Sequence, residues 1–170
     1  MASEKTSIFS PALAARFDKL VTLYPVRRSA LIPMLLYAQD EIGYISDSVV
    51  AEVAERIGIR ENDVQSVLSY YSMLRTKPVG KYNIQVCTNI SCMLRDGYGI
   101  LDHCKKRLGI DHKQVTSDGL FSLEEVECIG ACCWAPAIQV NYDFHEELTP
   151  SKMDKLIDDY KAGRVREKTV

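Results

Sequence analysis

The sequence predicts an α+β protein, in which an all-helical front half is followed by a small α/β back half. Across the first 75 residues, apolar side chains recur at the three- and four-residue spacing of helices. After Met73, short alternating segments typical of strands appear, together with two further helical patterns. Apolar residues make up 46% of the 170 and charged residues 26%, which indicates a globular protein with a workable core.

Two helical patterns open the front half. The first begins with Ser10 as its N-cap and Pro11 at its first position, and Pro25 ends it. The second covers about residues 29–42, and Gly43 after it is a natural C-terminal stop. We therefore expect two helices joined by a short connection.

Two more helices complete this half. The segment "SDSVVAEVAERIG" is capped by Ser46 or Asp47 and ends at Gly58, with its valines and Ile57 on one apolar face. The segment "ENDVQSVLSYYSML", residues 61–74, also carries apolar residues along one side. The front half is thus predicted to be a helical bundle.

The back half begins after the linker "RTKPVGKY", so we predict one domain over residues 1–76 and a second over 77–170. "YNIQV" is a strand that leads into Cys87, and "FSLEEVEC" is a second strand that ends at a cysteine. "AIQVNY" is a third strand. Helices are predicted in "GILDHCKKRLG" and in "TPSKMDKLIDDYKAG", which Thr149 caps.

Composition excludes several classes of function. A net charge of −2 offers no general attraction to nucleic acid or anionic lipid. No apolar run reaches the roughly 18 residues that span a bilayer, and the start shows no secretory signal. We therefore expect a cytoplasmic protein, in which grouped cysteines indicate metal or redox chemistry more than disulfides.

Two cysteine pairs carry the chemistry of this chain. Cys87 and Cys92 have the spacing C-x4-C, and Cys128 and Cys132 have the spacing C-x3-C. Four thiolates from two loops suit zinc or an iron–sulfur cluster. Structural zinc most often uses C-x2-C, so the wider spacings favour a [2Fe–2S] cluster. A thioredoxin-type dithiol would need C-x-x-C, which is absent. Spacing does not choose between Cys132 and Cys133.

The residues around the thiols suit a cluster. Gly130 can adopt a positive φ inside the second loop, and Thr88, Asn89 and Ser91 are expected to direct amides at sulfur. Cys104 lies on an apolar helix face, so we expect it in the core. An apolar cover over the site is expected from five residues: Ile90, Met93, Leu94, Ile129 and Trp134.

Two other functions compete with this interpretation. The third and fourth helices suggest a helix-turn-helix of an iron–sulfur regulator, but "DVQSVLSYYSM" contains no Lys or Arg for phosphates. A zinc-stabilised interaction module would be colourless, whereas a [2Fe–2S] protein is brown. The histidines His103, His112 and His145 show no ligand spacing, and we expect all three at the surface.

The runs "CTNISCML" and "CIGACCWAPAIQVN" resemble the small [2Fe–2S] subunit of NADH–quinone oxidoreductase (respiratory complex I), known in bacteria as the E-type subunit. This family also occurs in NAD-reducing hydrogenases and formate dehydrogenases. The likeness extends to "YPVRRSALIPMLLYAQDEIGYIS" and "VLSYYSML". It implies that Cys87, Cys92, Cys128 and Cys132 are the ligands, whereas Cys133 departs from the family pattern.

The resemblance also implies a fold, a cofactor and partners. The back half would be a thioredoxin-like domain with one [2Fe–2S] cluster, and Pro136 occupies a place where such folds often have a cis proline. The chain would carry single electrons without catalysing a reaction alone. It would pair with the subunit that binds FMN and NADH, among other subunits of the peripheral arm, at the inner membrane. Tyr70 and Arg75 are candidates to meet that partner.

Overall fold

The computed structural model describes residues 7–165. They fall into two compact units that divide between Pro78 and Val79. The boundary at residue 76, as a division between domains with separate roles, stays a prediction. No helix within 7–165 is long and apolar enough to cross a membrane.

The first unit is helical. Its core gathers large apolar side chains from every helix, with Phe17, Met34 and Leu35 fully buried. Within residues 7–78, a short 3-10 turn, Arg27–Ala30, precedes the second helix. The α-helices are α1 (Pro11–Leu23), α2 (Leu31–Ile42), α3 (Asp47–Ile57) and α4 (Glu61–Tyr70).

Local capping explains where these helices begin and end. The Ser10 hydroxyl accepts a hydrogen bond from the Leu13 N–H, and Ser46 does the same for Val49. Gly43 and Gly58 end α2 and α3 in the left-handed conformation that glycine adopts without strain. The predicted caps are therefore confirmed.

Two predicted helix boundaries were wrong. The residues before Leu31 form a 3-10 turn instead of the first turn of α2. Helix α4 ends at Tyr70 instead of continuing to Leu74. The chain turns there, with the Leu74 N–H donating to the Tyr71 carbonyl, and this turn carries the Leu74 side chain into the core.

The second unit is built on a mixed sheet. The central strand β1 pairs in parallel with β3, whereas the other pairings are antiparallel. Within residues 79–165 the strand order is β2-β3-β1-β4-β5. The strands are β1 (Tyr82–Cys87), β2 (Gln114–Val115), β3 (Phe121–Val126), β4 (Ile138–Val140) and β5 (Asp143–His145). The helices are α5 (Ile90–Leu94), α6 (Gly97–Leu108) and α7 (Pro150–Lys161).

Helices α6 and α7 pack on one face of this sheet. Alternate residues of β1, namely Tyr82, Ile84 and Val86, share a core with both helices. Cys104 of α6 is fully buried in this core, as predicted. Burial raises the pKa of its thiol to about 12, because the charged form is disfavoured there, and the charge of Asp154 adds to the shift.

The sequence patterns did not indicate the shortest elements. β2 and β5 are two and three residues long, which is too short for an alternating pattern to register. The predicted third strand is also shorter than expected. It ends at Val140, and a turn with Asn141 at φ 53° leads into β5.

Candidate metal centre

The first cysteine pair lies at the carboxyl end of the central strand. Cys87 is the last residue of β1, and its side chain is buried with that of Cys92. The segment between them was predicted to be a loop, but it forms the short helix α5, so Cys92 is helical. The Asn89 side chain begins that helix by accepting a hydrogen bond from the Ile90 N–H at 2.6 Å.

Backbone hydrogen bonds hold Cys87 in the sheet from both sides. Its N–H donates to the Ala137 carbonyl at 3.3 Å, and the Thr88 N–H donates to the Val126 carbonyl at 3.1 Å. The Thr88 hydroxyl donates to Glu125 Oε1. The expectation that the Thr88 amide serves sulfur is therefore wrong, because that amide extends the β1–β3 ladder.

The second pair follows β3. This strand ends at Val126, two residues before Cys128, instead of at the cysteine as predicted. Gly130 has φ 83°, which confirms the positive φ expected there, and its N–H donates to Cys128 Sγ at 3.4 Å. Cys132 begins the 3-10 turn Cys132–Trp134, and both cysteines of this pair are exposed.

Parallel pairing of β1 with β3 brings the two cysteine pairs together. Cys87 Sγ donates to the carbonyl of Glu127, next to Cys128, at 3.7 Å. α5 contacts the Cys132–Trp134 turn. The pKa of Cys92 is raised to about 11, chiefly by burial and further by the neighbouring thiols of Cys87 and Cys132. These contacts place a buried pair beside an exposed pair.

Between residues 7 and 165, no three His, Cys, Asp or Glu side chains surround one point closely enough to hold a single metal ion. A [2Fe–2S] cluster asks for a different arrangement, with two thiolates on each iron. Two adjacent pairs, with the Gly130 amide directed at sulfur, therefore fit a two-iron group. Cys133 is exposed in the same turn, and of the two it is Cys132 that contributes to the raised pKa of Cys92.

The expected apolar cover is not buried. We name the exposed set on α5 and the adjacent turn the α5 patch: Ile90, Met93, Leu94 and Trp134. Leu94 is 76% exposed and Ile90 64%, whereas Ile129 packs against the cysteines. Because α5 turns its cysteine inward, its large apolar side chains are left exposed. Sequence spacing alone does not reveal which way so short a helix is oriented.

The structure also describes Pro136 and the three histidines. The Ala135–Pro136 bond is cis. The three histidines, expected at the surface, are half-buried, and each makes a hydrogen bond: His103 with Asp154, His112 with the Glu125 N–H, and His145 with the Tyr160 hydroxyl.

A thioredoxin-like α/β unit with two thiol pairs at the carboxyl end of its central strands defines a class, the iron–sulfur electron carriers. A family model described as "Thioredoxin-like [2Fe-2S] ferredoxin" matches residues 17–161. The chain belongs to this family, whose cofactor is one [2Fe–2S] cluster. Membership decides that the cofactor is an iron–sulfur cluster and not zinc, a choice that cysteine spacing had only favoured.

Relatives of known name support this assignment. An E-type subunit of NADH-quinone oxidoreductase from Rhizobium meliloti is 40% identical over 140 residues, covering 82% of this chain and 83% of the relative. The E-type subunit of Rickettsia typhi is 41% identical over 146 residues, covering 84% and 86%. The Mycobacterium tuberculosis counterpart is 34% identical over 165 residues, which cover 95% of this chain and 66% of that protein.

The fold also has solved counterparts. A chain of the NAD+-reducing [NiFe]-hydrogenase in the H2-reduced state aligns with 78% of this chain and 22% of its own length. The TM-score is 0.69 at 20% identity. A likeness at this identity shows that the fold is shared.

Proposed function

We propose that this chain is the one-electron carrier subunit of an NADH–quinone oxidoreductase, which accepts electrons from the reduced flavin of a partner subunit that binds FMN and NADH. One observation carries the proposal: two cysteine pairs lie side by side at the ends of β1 and β3 in a member of the thioredoxin-like [2Fe–2S] ferredoxin family. The relatives named above are subunits of NADH-quinone oxidoreductase.

The four candidate ligands would bind the cluster from two sides. Cys87 and Cys92 supply thiolates from the buried side, and Cys128 and Cys132 supply them from the exposed side. When bound, a [2Fe–2S] cluster supplies an acceptor for one electron at a time. The protein contributes position and hydrogen bonds, such as that of the Gly130 N–H to Cys128.

The exposed side is where we propose that the flavin subunit docks. The α5 patch presents large apolar side chains directly beside the candidate ligands, and exposed apolar patches mark interaction sites. The helical unit provides further contacts, with Tyr70 (81% exposed) and Arg75 as candidates. Other subunits of the peripheral arm complete the assembly, which we place on the cytoplasmic side of the inner membrane, with no nucleic acid among its partners.

The test begins with anaerobic purification of the chain with and without the FMN subunit. We expect iron and acid-labile sulfide at two each per chain, and an electron paramagnetic resonance (EPR) signal after reduction with dithionite. NADH should produce that signal when the FMN subunit is present, and should fail to do so with the chain alone.

Two results would contradict the proposal. Stoichiometric zinc without iron would show that the chain binds zinc and holds no iron–sulfur cluster. The second result is a cluster that dithionite reduces but that NADH, with the FMN subunit present, leaves oxidised. That result would show that the flavin is not its electron donor. The subunits that co-purify would also distinguish a respiratory complex from a hydrogenase or formate dehydrogenase.

A further inference from the structure

We propose that Gly97 is a positioning residue for the cluster, because its missing side chain allows the backbones of Cys87 and Cys92 both to pack closely against the start of α6. This inference rests on the proposed function, which makes those two cysteines ligands. Gly97 is buried at the first position of α6. A Cβ at this position would lie 2.9 Å from the Cys87 carbonyl oxygen and 2.9 Å from the carbonyl carbon and oxygen of Cys92.

The glycine is required by the close approach and not by backbone conformation. Its φ lies outside the left-handed region, so an alanine could adopt the same backbone dihedrals. Alanine is also the better helix former by about 1 kcal/mol in a helix interior. Local propensity therefore predicts that Gly97→Ala is tolerated, whereas the contacts with both cysteines predict that it is not.

The structure indicates which cysteine would move. Cys87 is held in the sheet by the Ala137 and Val126 carbonyls, so its displacement would break the ladder on both sides of β1. Cys92 lies on α5, a helix of five residues whose outer face is exposed. An added Cβ would therefore push α5 outward and widen the separation of the buried ligand pair.

Two other glycines offer matched controls. A Cβ at Gly99, also on α6, would have its three nearest atoms in the carboxyl group of Asp96, at 2.3–2.5 Å. Asp96 is exposed, so its side chain can rotate away. A Cβ at Gly80 would meet the β3 backbone, 2.3 Å from the Phe121 carbonyl carbon and 2.6 Å from the Ser122 nitrogen. That clash lies at the start of β3, away from the cysteines.

The experiment compares the full-length holoprotein with Gly97→Ala, Gly99→Ala and Gly80→Ala. Substitution of residues that support metal ligands typically lowers metal affinity by about 10–100-fold. We expect Gly97→Ala to lose iron to a chelator roughly tenfold faster and to show altered EPR g-values, with far-UV circular dichroism unchanged. Gly99→Ala should match the wild type. Gly80→Ala should lower the melting temperature and keep the wild-type EPR spectrum.

Each other outcome overturns the inference. Wild-type iron retention and g-values in Gly97→Ala would show that the glycine does not position the ligands. An unfolded Gly97→Ala apoprotein, under conditions where the wild-type apoprotein is folded, would make Gly97 a general folding requirement. Wild-type protein that binds no cluster would overturn the proposed function together with this inference, whereas the first two results leave that function intact.

Discussion

The candidate ligands form a buried pair and an exposed pair. Cys87 and Cys92 are buried, whereas Cys128 and Cys132 are exposed. Because burial raises the pKa of Cys92 to about 11, this residue is a neutral thiol at pH 7 in the apoprotein. Only thiolates ligate iron, so ligation by Cys92 would release its proton. Assembly is therefore expected to become more favourable as the pH rises toward that pKa.

Serine substitutions test the ligand set residue by residue. We expect Cys87→Ser, Cys92→Ser, Cys128→Ser and Cys132→Ser each to reduce iron and sulfide content and visible absorption severely, because each removes one of two thiolates on an iron. Cys133→Ser is the matched control, being exposed in the same turn as Cys132. It should retain the cluster. A cluster lost in Cys133→Ser and kept in Cys132→Ser would reverse the assignment.

At the scale of elements, the residues before α1 are tied to α3 through Glu52. The Ser7 hydroxyl, the Ile8 N–H and the Arg56 guanidinium all donate to its carboxylate. Burial alone would raise the pKa of Glu52, but these hydrogen bonds together outweigh it and hold the pKa below the ordinary 4.5. The charged form is therefore the one that the folded helical unit stabilises.

Glu52→Gln should lower the free energy of unfolding by about 1–2 kcal/mol at pH 7, because a half-buried charged acceptor is lost. The sign of the pH dependence follows from the lowered pKa. The contribution of Glu52 is complete above pH 4.5 and is lost as the pH falls through the folded pKa. Chemical denaturation of both proteins from pH 7 to pH 3 measures this difference.

Two outcomes of that titration are decisive. The difference between wild type and Glu52→Gln should shrink in acid, and a constant difference would contradict the charge-based explanation. The control is Glu61→Gln, which changes an exposed glutamate in the first turn of α4 and should cost less.

Helix α5 carries a candidate ligand, Cys92, and the proposed docking surface in one short element. Leu94→Lys places a charge in the α5 patch and should weaken binding of the FMN subunit at least about tenfold, as expected for an apolar contact worth ~1.4 kcal/mol. Val115→Lys is the control, since Val115 is an exposed apolar residue on β2, which pairs with the start of β3. Titration calorimetry measures both affinities.

The iron content of Leu94→Lys should stay at the wild-type level, because the Leu94 side chain is exposed whereas that of Cys92 is buried. Equal weakening by both lysine substitutions would show that charge in general, and not the α5 patch, governs the association.

At the scale of the whole molecule, the division between Pro78 and Val79 gives the second unit a core of its own. We predict that residues 79–170 alone fold and hold the cluster, with the EPR g-values of the full chain. Binding to the FMN subunit should weaken, because the helical unit is proposed to contribute contacts. Iron analysis and EPR of the fragment test this prediction, and an iron-free or unfolded fragment would contradict it.

Signals within a few residues explain what could be predicted. Helices begin at Ser10 and Ser46 and end at Gly43 and Gly58 through hydrogen bonds and backbone conformations confined to one turn. Such capping residues can be recognised directly in the sequence. The second cysteine loop is similar, since the positive φ of Gly130 follows from its lack of a side chain. The helix α5 was missed because five residues carry less than two turns of periodicity.

The sequence by itself determined the α+β class, the capped helices of the front half and the two cysteine pairs, because these depend on local chemistry and spacing. The tertiary structure decided which thiols are buried, that the α5 patch is exposed, and that a side chain at Gly97 would meet the backbones of both buried cysteines. These features arise where β1 and β3, about forty residues apart, become neighbours in one sheet. Contacts of that range depend on how the elements pack, and no local pattern encodes them.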